Sequence, residues 1–99
     1  MTVTVVTYRK GGTREAVTAA ARKGQAVWEK YGADRFMLNY VTSGPDPGQW
    51  GVVIMFASWE AFGKSMQGAS SDPALYEFLS EMDAVSELVS RRILMSVDL

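Results

Sequence analysis

Gln49-Trp50-Gly51-Val52-Val53-Ile54-Met55-Phe56-Ala57-Ser58 decides the fold. Trp50, Val52, Ile54 and Phe56 alternate with Val53, Met55 and Ala57, so a strand drawn through them is apolar on both faces. Phe36-Met37-Leu38 and Ile93-Leu94-Met95-Ser96-Val97 behave in the same way. A sheet that is apolar on both faces must be covered on both. In 99 residues there is helix enough for one face only. The other cover is expected from a second copy of the chain.

Working outward, Thr2 to Arg9 reads as a strand because β-branched residues dominate it. Lys10-Gly11-Gly12 is a turn, and Thr13 is an N-cap for a helix from Arg14 to Tyr31. Val17, Ala20, Ala21, Gly24, Val27, Trp28 and Tyr31 form its apolar stripe. Gly24 costs about 1 kcal/mol against Ala inside a helix, which suggests that the helix lies close to a sheet there. Gly32 stops it. Asp34 to Thr42 is the second strand, and the turn cluster Ser43-Gly44-Pro45-Asp46-Pro47-Gly48 joins it to the third, Gln49 to Ser58.

Ser58 caps a short helix from Trp59 to about Gln67, which Gly68-Ala69-Ser70-Ser71 is expected to break. Asp72-Pro73 opens a further helix reaching about Val89, with Leu75, Phe78, Leu79, Met82, Val85, Leu88 and Val89 as its buried stripe. Arg92 to about Val97 is the last strand. The order β-α-β-β-α-α-β is an α+β, ferredoxin-like arrangement in a single domain, with a four-stranded antiparallel sheet and helices on one face. A C2 homodimer, paired through the sheet faces, is the simplest way to bury the other face.

Composition narrows the function by exclusion. Ten basic and eleven acidic residues leave a net charge of −1, so no basic footprint for nucleic acid or an anionic membrane is present. No run approaches the roughly 20 apolar residues of a membrane span. The first residues, Met1 to Val6, lack the basic region and apolar core of a signal peptide, so a cytoplasmic location is expected. With no Cys and no His, thiolate nucleophiles, imidazole general bases and Cys/His zinc or haem ligation are excluded. No acidic loop has ligand spacing, and no cofactor or metal is expected.

In its order of elements the chain resembles the dimeric α+β barrel superfamily over nearly its whole length. Phe56-Ala57-Ser58-Trp59-Glu60-Ala61-Phe62 is similar to the Ser-Trp-Glu turn of antibiotic-biosynthesis-type monooxygenases. The helix start in Asp72-Pro73-Ala74-Leu75-Tyr76-Glu77-Phe78-Leu79 is similar to that of NIPSNAP-like members. The resemblance implies dimers formed through the sheets and a pocket between helices and sheet in each protomer. It implies no single activity, because the superfamily holds cofactor-free monooxygenases, haem-degrading enzymes, isomerases and members without a known reaction. Where monooxygenase-like and haem-degrading relatives usually carry His, this chain has Lys64-Ser65-Met66-Gln67, so the usual haem ligation is not implied.

Candidate pocket residues follow from chemistry. Asn39 lies mid-strand, where Asn is disfavoured, and a buried amide there would need a partner such as a substrate oxygen. Trp59 and Phe62 open the short helix, where an indole can stack on a flat ligand and donate its N–H. Tyr8 and Tyr40 on strands, and Tyr76 near a helix start, are hydrogen-bonding candidates. Met55 and Met66 suit an adaptable apolar wall. Each of these residues also has an ordinary packing role. Among Arg9, Arg35, Arg91 and Arg92, one could anchor an anionic substrate. Three functions remain open at this point. The first is binding of a small apolar or aromatic molecule. The second is cofactor-free oxygenation, or an isomerase or cyclase reaction, on polyphenolic or polyketide-like substrates. The third is a structural or interaction module without a ligand.

Overall fold

The computed structural model describes residues 1–99. Seven elements follow in order: β1 (Val3–Lys10), α1 (Arg14–Lys30), β2 (Arg35–Tyr40), β3 (Gln49–Phe56), α2 (Trp59–Ser70), α3 (Pro73–Val85) and β4 (Glu87–Met95). The sheet order is β2-β3-β1-β4, and every neighbouring pair is antiparallel. This is the expected α+β ferredoxin-like arrangement. Helices lie on one face only, in a slab of 37 × 34 × 17 Å.

Period-two alternation sorts the strands into two faces. Toward the helices point Val3, Val5, Thr7 and Arg9 of β1 and Trp50, Val52, Ile54 and Phe56 of β3, with Phe36 and Leu38 of β2. Val17, Ala20, Ala21, Val27 and Trp28 of α1 and Leu75, Phe78 and Met82 of α3 close the core over them. Trp28 meets Phe56 edge-on at 5.9 Å, and Phe36 meets Phe78 at 6.3 Å, both favourable aromatic geometries.

The opposite face carries Val6, Val53, Met37, Met55 and Leu94, with Thr4, Tyr8, Asn39, Arg35 and Arg92 among them, and no helix packs on it. β4 is exposed along nearly its whole length on both faces: Leu88, Ile93, Leu94 and Met95 are each about half exposed.

Several boundaries differ from the sequence expectation. α3 ends at Val85, not near Val89, and Leu88 and Val89 belong to β4. Ser86 turns the chain: its backbone is extended, and its hydroxyl donates to the Met82 carbonyl while accepting from Arg9 Nε. The pairing of Leu88 with Arg9 and of Glu87 with Lys10 then draws these residues into the sheet. α2 runs through Gly68 to Ser70, because Gly68 lies against the Tyr31 ring and Ala69 is fully buried. Gly24 does mark a close approach, but to the Phe78 ring of α3 and not to the sheet.

Candidate functional site

Between α3 and the sheet is a cavity of about 220 Å³. Its floor is Val5, Thr7, Val52 and Ile54; Leu75, Phe78, Leu79 and Met82 of α3 form its roof. Trp28 of α1 and Met66 of α2 close one side. Ten of its thirteen lining residues are hydrophobic, the composition of a pocket for an apolar body. Leu79 and Leu88 line it yet are 42% and 55% exposed, so the cavity opens to solvent between α3 and β4.

Three polar residues, Thr7, Arg9 and Arg91, share this cavity. Arg9 is only 5% exposed, and its guanidinium is committed: Nε donates to Ser86 Oγ at 2.8 Å, and Nη2 pairs with Asp83. Arg91 lies directly across from Thr7 on the helix side of the sheet and makes no ion pair or side-chain hydrogen bond.

The eight candidate residues fall in several places. Met66 alone lines the cavity. Tyr8, Asn39 and Met55 lie on the opposite, helix-free face, where Asn39 and Tyr8 flank Gly51 in one cross-strand row. Tyr40 packs edge-on against Trp50 at 4.7 Å, and Tyr40, Trp50 and Asn39 together line a wide hollow of about 810 Å³ whose other side is Gly11, Gly12, Arg14 and Thr18. Only three of that hollow's nine lining residues are hydrophobic, so it suits a small apolar ligand less well than the cavity beneath α3. Trp59 stacks edge-on with Phe62, and its indole N–H points at the Met95 sulfur at 3.3 Å; Phe62 in turn packs on Phe56. Tyr76 is 58% exposed and donates its hydroxyl to the Ser70 carbonyl, a link between α2 and α3.

Of the four arginines named from the sequence, Arg9 and Arg91 reach the cavity, while Arg35 and Arg92 project from the other face. Thr7 escaped notice because a Thr in a β-branched strand carries no signal of its own. Its parity with Val5 and Arg9, set against the core residues, would have found it.

A polar cluster ties the roof of the site to α1. Asp72 caps α3 through the Ala74 N–H at 2.9 Å and accepts from the Tyr31 hydroxyl at 2.6 Å and from Lys30 Nζ at 3.2 Å. The Tyr31 bond, then the Ala74 N–H and Lys30, hold the Asp72 carboxyl down to a pKa of about 2. The same carboxylate raises both Tyr31 and Lys30.

No protein-family model matches the sequence, and no curated protein matches it. Solved structures do. Atu4242 from Agrobacterium tumefaciens has a TM-score of 0.74 at 17% identity, over 98% of this chain and 94% of that one. A NIPSNAP family protein from the same organism, Atu5224, has a TM-score of 0.72 at 15% identity, over 99% and 95%. SnoaB, a cofactor-independent oxygenase from Streptomyces nogalater, has a TM-score of 0.72 at 12% identity, over 99% and 94%. At these identities the likeness is one of fold. The chain shares its architecture with these NIPSNAP family and cofactor-independent oxygenase structures.

Proposed function

We propose that this protein binds a small apolar or aromatic molecule in the cavity beneath α3, and does so as a homodimer joined through its sheet faces. The observation that carries the binding reading is the cavity itself: hydrophobic, open at one end, with its few polar groups gathered on β1 and β4. The homodimer reading draws on the helix-free face, where Val53, Met37 and Met55 are half-buried and Leu94 is exposed around the buried Val6, an apolar surface of the kind that marks an interaction site.

The methionines supply the test. Met66 and Met82 line the cavity, whereas Met37 and Met55 lie on the helix-free face. With ¹³C-methyl-labelled methionine, titration with 2-naphthol should shift the Met66 and Met82 resonances and leave Met37 and Met55 in place. Shifts confined to Met37 and Met55 would move the site to the other face. No shift at any methionine would favour a module without a ligand.

A second reading, cofactor-free oxygenation of a hydroxylated aromatic, draws on the likeness to SnoaB. Oxygen uptake with polyphenolic substrates would support it, and binding without uptake would count against it.

A further inference from the structure

We propose that the molecule held beneath α3 is an anion, a small aromatic carboxylate, and that Arg91 is the residue that anchors it. This rests on the binding reading above and goes further by naming the ligand's charge and the side chain that selects it.

The lining of the cavity contains two guanidinium groups and no carboxylate. Arg9 is neutralised from outside: Asp83 is 70% exposed and does not line the cavity, yet it takes the Arg9 charge, with Ser86 holding Nε. Arg91 has no such partner, although Asp and Glu residues are as numerous as Lys and Arg across the chain. Lys10 pairs with Glu87, Lys23 pairs with Glu77 and Glu81, and Arg92 lies on the other face over the Tyr8 ring, 6.0 Å from its centroid. The cavity therefore has one uncommitted positive charge, placed beside the Thr7 hydroxyl and toward its solvent mouth.

A planar guanidinium presents paired donors that match the two oxygens of a carboxylate, and Thr7 adds a donor one strand away. The apolar remainder of the site would receive the rest of the molecule. An apolar cavity of about 150 Å³ is known to hold benzene, so about 220 Å³ admits one or two fused rings. The orientation follows: ring inward against Trp28, Phe78 and Met66, carboxylate outward at Arg91.

Matched ligands separate charge from shape. 2-Naphthoate and its neutral isostere 2-naphthamide should both shift the Met66 and Met82 methyl resonances, with the acid binding about ten-fold more tightly or better. Arg91→Gln should abolish that preference while leaving amide affinity unchanged, and Arg91→Lys should retain part of it. Arg22→Gln, on the exposed side of α1, should have no effect. Added salt should narrow the preference, because Arg91 is exposed. Equal affinity of acid and amide, or a preference that survives Arg91→Gln, would overturn the anchor and leave the cavity reading standing. Binding of neither compound, with unmoved methionine signals, would overturn the cavity reading and this inference together. Melting curves of the variants confirm that each is folded.

Discussion

Gly12 sits at φ +82°, and a Cβ built on it would lie 2.2 Å from the Val85 carbonyl oxygen. A side chain at that position meets both a left-handed backbone and another backbone, neither of which can give way cheaply. Gly12→Ala should therefore destabilise the fold by about 2 kcal/mol or more, read from urea unfolding midpoints. Asp72 makes a prediction in pH. Its carboxyl is held near 2 in the folded protein, below the ordinary value of 3.8, so it contributes stability above pH 3.8 that is lost as pH falls toward 2. Asp72→Asn should lie below the parent protein in melting temperature at neutral pH, with the gap closing across that window. A constant gap would assign the carboxylate no such role. Single residues were unevenly legible in the sequence. The caps at Thr13, Ser58 and Asp72 were readable because a capping side chain bonds two or three residues away, and each does so. Tyr8 and Met55 are pocket candidates by residue type, yet they lie on the face away from the cavity beneath α3. Type does not encode the face, which is fixed by strand parity relative to helices elsewhere in the chain.

At the scale of elements, β3 separates the two faces most sharply. Val53 and Ile54 are adjacent, yet Ile54 is buried under the helices while Val53 points to the uncovered side. Ile54→Asp should leave a charge inside the core and prevent folding, because an unpaired buried carboxylate costs several kcal/mol. Val53→Asp should keep native circular dichroism and, if the sheet face is the dimer interface, sediment as a monomer. The element order and the two-faced sheet were legible because hydrophobic periodicity is a local property. The α3–β4 boundary was not. Leu88 and Val89 continue the helical spacing of Leu75, Phe78 and Met82, and only the pairing of β4 with distant β1 outbids that pattern. Gly68 misled for the same reason: a glycine that reads as a breaker is there to admit the Tyr31 ring.

The whole molecule is a two-layer slab with helices on one side and nothing on the other. Met37, Val53, Met55 and Leu94 of the sheet have no helix over them within the chain. A dimer would supply the cover, and native mass spectrometry should give twice the 10.9 kDa chain mass. The melting temperature should then rise with protein concentration, as it does when folding and association are linked. A concentration-independent monomer would remove the dimer reading and leave the cavity beneath α3 untouched.

The strand order β2-β3-β1-β4 places the earliest-made strand in the middle of the sheet. On the ribosome, Val3–Lys10 must wait with one edge bare until Glu87–Met95 has been synthesised, however early β3 joins the other edge. Until that last strand arrives, the valine-rich β1 presents an unpaired edge that is open to stray pairing.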